Sequence, residues 1–458
     1  MLDILHSNCL SSRVGEHGID PDRLSPGSAL GQAAASITRA LATSRGTGWE
    51  RWRNLPFDMR EDHVRAVRSE VERAGDVRNL VVLGIGGSAL GNLALQAALN
   101  PPTWNLTESP RLFVLDNVDP VLFERTLAFC EADGGLDHTL FNVISKSGET
   151  AETAAQFMIV RDRLVRTFGA DHARRVVAIT DPEKGTMRRI CDENGYATLP
   201  VPDGVGGRFS VLSPVGLFSA AMCGIDIDAL LDGAASMDQR CTSESIDENP
   251  AALLATILVE MGERKGKTNH VMMPYANALY LMADWFRQLW AESLGKIVDS
   301  PSGMNYTGYT PIKALGATDQ HSQIQLYREG PNDKVVGFLE VEDFGTDVEI
   351  PTGGGVDALA YLEGKSLARL LNAEKRATEY ALVESKRPNF TIRFPKIDAW
   401  HIGAFINLWQ ITTAYAGRML GIDAYDQPAV ETGKKATFAL MGRDGYDDLR
   451  RRVDETLA

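Results

Sequence analysis

The sequence predicts an α/β protein built from two doubly wound parallel sheets, each an α/β/α sandwich, with a helical tail at its C-terminal end. Three observations support this fold class. From about residue 79, short apolar runs alternate with helical periods, which is typical of parallel strands joined by crossover helices. A second series of the same kind begins near Asn249. The chain of 458 residues is also too long for one compact core.

Five apolar runs are the predicted strands of the first unit, and the stretches 120–130 and 150–168 are predicted helices between them. The strands are NLVVLGI, RLFVLDNV, TLFNVISKS, RVVAITD and YATLPVP. Because crossover connections make such strands parallel, turns that follow them should meet at one edge of the sheet.

The second unit is predicted to contain helices from Asn249 and Asn277, a long helix through Ala373 and a last long helix from near Asp398. Its predicted strands are NHVMMPYA, SQIQLYREG, KVVGFLEVE and NFTIRFPK, and the polar segment SMDQRCTSESIDENP separates the two units. We therefore predict an N-terminal helical extension over 1–45, a first domain over 46–240, a second domain over 241–425 and a C-terminal tail over 426–458.

The composition is that of an ordinary folded chain, with 44% apolar and 24% charged residues. A formal net charge of −14 argues against a nucleic-acid partner. The five cysteines are scattered without a C-x-x-C pair, which indicates reduced thiols. The start of the chain lacks a signal-peptide pattern, and no apolar run reaches membrane-spanning length. These features predict a cytoplasmic protein without a membrane partner.

The segment VVLGIGGSALG, residues 81–91, joins a predicted strand to a helical stretch through a glycine-rich turn. Free N–H groups and the helix dipole favour an anion there. Gly84, Gly86 and Ala89 also fit the dinucleotide fingerprint G-x-G-x-x-G/A. That alternative requires an acidic residue about 20 positions on, whereas Asp116 lies about 30 positions on. A phosphate site is therefore favoured over a dinucleotide site.

A second turn, NVISKSGETAET at residues 142–153, follows the third predicted strand and also precedes a helix. The hydroxyls of Ser145, Ser147 and Thr150, with helix-start N–H groups, suit a phosphate, and Gly148 allows close approach of the backbone. Taken alone, the turn is more typical of a Ser/Thr helix cap. Its position at the same edge of the sheet as the first turn favours the phosphate site.

The helical stretch ADWFRQLWAESLGK contains a candidate base. Gln288 and Glu292 share one helix face at i, i+4 spacing, and Lys296 follows one turn later. The tryptophans at 285 and 290 would partly desolvate Glu292 and make it a better base. The alternative is a solvated salt bridge between Glu292 and Lys296, although we expect Lys296 to point to solvent or phosphate.

Three more polar residues are candidates, each with a structural alternative. Arg208 in GVGGRFSVLSPVGL precedes an apolar helix, where a guanidinium either binds an anion or oxyanion or lies on the surface. His321 precedes a predicted strand, and a single histidine is often structural. Lys434 follows the last long helix, in a turn-rich segment where a lysine normally faces solvent. The eight histidines lack the spacing of a zinc site, so no metal site is predicted.

Read in chain order, these segments resemble the signatures of the phosphoglucose isomerase family, whose members contain two sugar-isomerase domains. The matching blocks are LGIGGSALG, SKSGET, VGGRFSVLSPVGL, ESLGK, DQHSQ and YDQPAVETGKK. The resemblance implies an aldose–ketose isomerase of glycolysis and gluconeogenesis that interconverts glucose 6-phosphate and fructose 6-phosphate through an enediolate. It also implies a homodimer that needs no metal or organic cofactor.

By this resemblance, Glu292 moves a proton between C2 and C1, while Arg208 and Gln288 stabilise the enediolate. His321 and Lys434 assist ring opening and position the sugar, and His321 reaches the neighbouring subunit's site. The residues implied to bind the substrate and its phosphate are Gly87, Ser88, Ser145, Lys146, Ser147 and Thr150.

Four positions depart from the family pattern. Asp423 and Tyr425 stand where Asn and Phe are more frequent, Glu149 replaces a frequent threonine, and Gln410 stands where many members have glutamate. Two other functions stay open at this point. A sugar-phosphate sensor would keep Ser88 and Ser145 without needing Glu292. A nicotinamide-dependent dehydrogenase would use the first glycine turn for its cofactor.

Overall fold

The structure is a computed structural model that describes residues 1–300 and 303–458. The α-helices of this part of the chain are α1 (Ser11–Val14), α2 (Ala29–Ser44), α3 (Arg60–Ala74), α4 (Leu90–Leu99), α5 (Trp104–Thr107), α6 (Pro120–Ala132), α7 (Ala151–Phe168), α8 (Thr186–Asn194), α9 (Pro214–Met222), α10 (Ile227–Arg240), α11 (Pro250–Lys265), α12 (Tyr280–Leu294), α13 (Ile324–Glu329), α14 (Leu367–Glu384), α15 (Ala399–Leu420), α16 (Val430–Leu440) and α17 (Asp447–Leu457). The strands are β1 (Asp3–Leu5), β2 (Asn79–Leu83), β3 (Arg111–Leu115), β4 (Thr139–Ile144), β5 (Val176–Thr180), β6 (Ala197–Pro200), β7 (Asn269–Pro274), β8 (Lys296–Ser300), β9 (Gly303–Thr307), β10 (Thr310–Lys313), β11 (Lys334–Asp343) and β12 (Asn389–Lys396).

The first sheet has the strand order β3-β2-β4-β5-β6 and is parallel throughout. All five strands predicted for this unit are present. β2, β4 and β5 are buried along their whole length, as expected for central strands with helices on both faces. β3 lies on one side of β2 and β4 on the other, so the strand order reverses between β2 and β4. Their carboxyl ends therefore flank a switch point, where open α/β sheets bind ligands.

The second sheet has the order β1-β12-β11-β7-β10. Its last four strands are parallel, and β1 is an antiparallel edge strand on β12. The predicted strands NHVMMPYA, KVVGFLEVE and NFTIRFPK are present as β7, β11 and β12. The predicted fold class of two parallel α/β sandwiches is thus confirmed.

The predicted N-terminal extension contains α1 and α2, but it begins with β1 rather than with a helix. Its first apolar side chains explain this difference. Leu2 is fully buried and Ile4 packs against the same core, so the chain start pairs with β12 instead of lying apart. The domain boundaries themselves stay a prediction.

One predicted strand, SQIQLYREG, is wrong. His321 ends a short 3-10 helix, Thr318–His321, and α13 follows it. Ile324 and Tyr327, three residues apart, both pack against the second sheet's core, while Leu326 is exposed. That spacing belongs to a helix face rather than to a strand. The strand in this part of the sheet is β10, which is not among the predicted strands. The predicted polar tail forms α16 and α17.

The long helix α15 holds the two halves together. It is buried from His401 to Gly417, and it crosses α10 at a very small separation. A Cβ atom at Gly233 would lie 1.8 Å from the carbonyl oxygen of Trp400, and one at Gly403 would lie 1.8 Å from that of Leu230. Only glycine therefore fits at this crossing. Within the described residues, no helix is both long and apolar enough to cross a membrane.

Candidate active site

The first glycine turn follows β2 at the switch point and forms a 3-10 turn, Gly86–Ser88, ahead of α4. Gly86 has a φ of +57°, in the region that favours glycine. A Cβ atom at Gly87 would lie 2.2 Å from the carbonyl oxygen of Gly207. The absence of a side chain at Gly87 thus lets the first turn lie directly against the turn that carries Arg208.

The second turn follows β4, the neighbour of β2, and leads into α7. The hydroxyl oxygens of Ser145 and Ser147 accept hydrogen bonds from the backbone N–H groups of Gly148 and Glu149, at 3.0 and 3.1 Å. Thr150 occupies the N-cap position of α7, yet among the described residues its hydroxyl makes no capping hydrogen bond. The turn is therefore not a Ser/Thr cap of the ordinary kind, and the Thr150 hydroxyl is not used by the helix.

Gly148 and Lys146 fix this second turn to its surroundings. Gly148 has a φ of +76°, and a Cβ atom there would lie 2.4 Å from the backbone nitrogen of Met187. The Lys146 ammonium lies over the ring of Trp49, 5.1 Å from its centroid. This contact joins the turn to the N-terminal segment that precedes α3, and it places a cation beside the hydroxyl groups.

Arg208 is almost completely buried, with 5% of its side chain exposed. Its Nε donates to the Ser293 hydroxyl at 2.9 Å, and Nη2 donates to the carbonyl oxygens of Ala424 at 2.9 Å and Asp426 at 3.2 Å. Nη1 donates to Oε1 of Gln427 at 2.8 Å. Burial lowers the pKa of Arg208, and nearby carboxylates oppose that shift. The structure thus contradicts the surface alternative for this arginine.

Gln288 and Glu292 lie together on α12, as their spacing predicts. Gln288 Nε2 donates to Glu292 Oε2 at 3.0 Å, and Arg208 Nη1 lies 3.3 Å from Glu292 Oε1. A Cβ atom at Gly86 would lie 2.9 Å from Gln288 Nε2, so the amide also touches the first glycine turn. One carboxylate is therefore held between an amide and a guanidinium, beside a turn at the switch point.

The environment of Glu292 differs from the prediction at Lys296. The tryptophans at 285 and 290 pack in the core, where Trp290 donates to His270 Nδ1 at 3.0 Å, and the polar partners of Glu292 are Gln288 and Arg208. Lys296 points neither to solvent nor to a phosphate turn. Its side chain is 8% exposed, and it bonds main-chain carbonyls at the end of α12 rather than the Glu292 carboxylate.

A cavity of about 820 Å³ opens beside Glu292. Its walls are the hairpin β8–β9 and the loop 421–430. Gln427 lines it together with Glu292 and also accepts a hydrogen bond from Arg208. Sequence reasoning gave Gln427 no role. The block YDQPAVETGKK, which contains it, was the signal available.

Of the candidate residues, only Glu292 lines this cavity; Arg208 and Gln288 reach it through their contacts with Glu292, and the two glycine turns lie outside its walls. His321 is exposed and is not among the lining residues. Lys434 lies on the helix α16 rather than in a turn; it is 55% exposed and bonds Glu431 Oε1 at 2.8 Å. Val430, on the first turn of the same helix, does line the cavity. Among residues 1–300 and 303–458, no group of three or more His, Cys, Asp or Glu side chains is arranged to hold a metal ion.

Comparisons with known proteins identify the family of this chain. The sequence model of the family described as phosphoglucose isomerase matches residues 58–444. The glucose-6-phosphate isomerase of Carboxydothermus hydrogenoformans is 42% identical over 457 residues, covering 98% of this chain and 96% of that protein. The glucose-6-phosphate isomerase of Rubrobacter xylanophilus is 42% identical over 434 residues, covering 92% and 96%.

Two solved structures share the fold. A hypothetical protein from Thermus thermophilus superposes with a TM-score of 0.84 at 35% identity, covering 96% of this chain and 100% of that one. A glucose-6-phosphate isomerase from Chlamydia trachomatis gives a TM-score of 0.75 at 23% identity, covering 93% and 81%. The second, at its lower identity, supports the fold alone.

Proposed function

We propose, because the chain belongs to the phosphoglucose isomerase family, that glucose 6-phosphate and fructose 6-phosphate are interconverted at Glu292, between the cavity and the two glycine turns. The protein is an aldose–ketose isomerase of glycolysis and gluconeogenesis, since the relatives that it matches along almost their whole length are named glucose-6-phosphate isomerase. The proposal therefore concerns which residues perform the reaction. The observation that carries it is the position of the Glu292 carboxylate, between Gln288 and Arg208 at the wall of the cavity.

The reaction needs one base and one group of donors. Glu292 accepts the proton from C2 while the electrons of the C2–H bond form the enediolate. The hydroxyl proton then passes from O2 to O1, and Glu292 returns its own proton to C1. Arg208 and Gln288 donate to the enediolate oxygens, where negative charge develops. Arg208 is suited to this role because main-chain carbonyls fix its guanidinium before substrate arrives.

The phosphate is assigned to the two turns at the switch point. Gly87 and Ser88 of the first turn and Ser145, Lys146, Ser147 and Thr150 of the second supply N–H, hydroxyl and ammonium donors. Two features support this assignment: the Thr150 hydroxyl makes no capping hydrogen bond to the described residues, and the N-terminus of α7 begins next to it. Binding energy from the phosphate, which does not react, positions the sugar for proton transfer.

The isomerase assay of a Glu292→Gln variant tests the proposed base. The amide keeps the shape of the side chain but accepts no proton, so kcat should fall by about 10²–10⁴-fold while KM changes little. Solvent exchange of the C2 hydrogen should fall in parallel.

Glu329→Gln is the matched control for this experiment. Glu329 accepts from Gln325 at the same i, i+4 spacing, at 2.7 Å, but on the exposed surface. Its variant should keep wild-type turnover. If Glu292→Gln retains more than roughly a tenth of wild-type kcat, Glu292 is not the base.

The second part of the proposal is a homodimer in which His321 completes the partner's site, and in which Lys434 acts on the sugar. The exposure of His321 and its absence from the wall of its own cavity support this arrangement.

We also assign the protein to the cytoplasm, which its five buried free cysteines support.

Hybrid dimers of a His321→Ala chain and a Glu292→Gln chain test the assembly. Each hybrid would contain one site with both residues intact, because a two-fold interface is reciprocal. Purified hybrids should therefore show up to roughly half of the wild-type activity, and an unsorted equal mixture about a quarter. Verified hybrids without activity would place His321 in its own chain's site or outside catalysis.

A further inference from the structure

Lys296 is the first residue of β8, two positions after the end of α12. Its ammonium donates to the carbonyl oxygens of Glu292 at 2.9 Å, Ser293 at 3.0 Å and Asp426 at 3.0 Å. An ammonium has three N–H donors, so these bonds use all of them. Carbonyl groups in the last turn of a helix lack partners within the helix, and a cation is favoured there. Lys296 therefore joins the end of α12 to the loop 421–430.

The same loop holds Arg208. The carbonyl oxygen of Asp426 accepts from both Arg208 and Lys296, and Ser293 contacts both cations through its hydroxyl and its carbonyl oxygen. Two buried cations thus bridge the same two pieces of chain. If one bridge is lost, the other must hold the separation between α12 and the loop alone.

We propose that Lys296 is a positioning residue for the isomerase reaction proposed above. Its ammonium fixes the loop 421–430 against α12, and the loop carbonyls in turn hold Arg208 at 3.3 Å from the Glu292 carboxylate. Lys296 lines the cavity, but its donors are already used, so it acts through Arg208 rather than on substrate. Asp426 Oδ1 at 3.5 Å is the carboxylate nearest to it.

The test compares Lys296→Met with Lys296→Arg. The methionine variant removes all three donors and should lower kcat by about 10²-fold, since displacements near 1 Å have that effect, while KM stays within roughly threefold. The arginine variant keeps a permanent cation, and its kcat should be at least roughly tenfold higher than that of the methionine variant. Hydrogen exchange in the loop 421–430 should accelerate in the methionine variant, while the buried part of α15 stays protected.

Lys265→Met is the matched control, because Lys265 also donates to a main-chain carbonyl, that of Glu16 at 2.9 Å, on the exposed surface. It should keep wild-type kcat. If Lys296→Met does not fold, Lys296→Gln takes its place, because it removes the charge and keeps an amide donor. A kcat within roughly threefold of wild type, or a loss of protection in α15 together with the loop, would overturn the proposal. The hydrogen-exchange measurement tests whether Lys296 holds the loop 421–430 against α12, even if the wild-type chain proves inactive in the isomerase assay. The two proposals can therefore fail separately.

Discussion

Replacing Gly87 with alanine should push apart two turns of the site without touching any candidate catalytic side chain. A Cβ atom at Gly87 would lie 2.2 Å from the carbonyl oxygen of Gly207 and 3.0 Å from the backbone nitrogen of Arg208. Both neighbours are main-chain atoms, so no side-chain rotation relieves the overlap. The two turns must therefore move relative to each other.

The size of the movement sets the size of the effect. Ordinary Cβ contacts begin at about 3.4 Å, so the turns must separate by about 1 Å. Arg208 follows Gly207 directly and would move with it, which changes its position relative to Glu292. A misplacement of about 1 Å costs roughly 10²-fold in rate. We expect kcat to fall by that factor, with a smaller change in the midpoint of thermal unfolding than a core cavity would cause.

The assay is isomerase turnover measured in both directions, with thermal unfolding as the check on the fold. Gly207→Ala is the matched control, because no described atom lies within 4 Å of a Cβ built at Gly207. It places the same methyl group on the opposite turn and should leave kcat near the wild-type value. If Gly87→Ala retains kcat within roughly threefold of this control, the close approach of the turns does not position Arg208.

Two further predictions concern substrate affinity and stability. The double replacement of Ser145 and Thr150 by alanine should raise KM for fructose 6-phosphate by roughly 10²-fold or more, because each hydrogen bond to a charged group contributes about 1.5–3 kcal/mol; an unchanged KM would make the turn purely structural. Burial would raise the pKa of Glu340, but hydrogen bonds and charges from Lys375 and Arg393 outweigh it and lower that pKa below its ordinary 4.5. Glu340→Gln should therefore reduce the free energy of unfolding at neutral pH by about 1.5–3 kcal/mol. The difference from wild type should disappear as pH falls from 4.5 through the lowered pKa, because Glu340 is then protonated in both states. Chemical denaturation at pH 7 and pH 3 measures this difference, and a difference that does not depend on pH would refute the prediction.

The sequence predicted the first sheet well because its signals are local. Each strand is a short apolar run that ends in a turn, and a buried parallel strand has that pattern whatever surrounds it. The second sheet was harder to predict. β10 is four residues with a proline, and the segment from Ser322 to Gly330 alternates like a strand although it contains the helix α13. There the burial of Tyr327 against the core decides the structure, and that contact is not encoded in the local spacing.

The candidate site, like the fold, was predictable where its signals are local and not where contacts between distant segments decide. The i, i+4 spacing of Gln288 and Glu292 placed both on one helix face, and the glycines identified both turns. What holds Arg208 could not be read from the sequence, because its partners at Ala424 and Asp426 are carbonyl oxygens, which every residue carries. The role of Lys296 was hidden for the same reason, since its three acceptors are main-chain atoms.

The pairing of Arg208 with Glu292 bears on how one guanidinium could serve two steps of the proposed reaction. At rest the guanidinium faces the Glu292 carboxylate at 3.3 Å. When Glu292 takes the C2 proton it becomes neutral, and the negative charge passes to the enediolate oxygen beside it. Arg208 therefore has one negative partner before and after proton transfer, and its carbonyl-bound guanidinium need not move far between them. A donor fixed in advance at the place where charge develops lowers the barrier because little reorganisation is required.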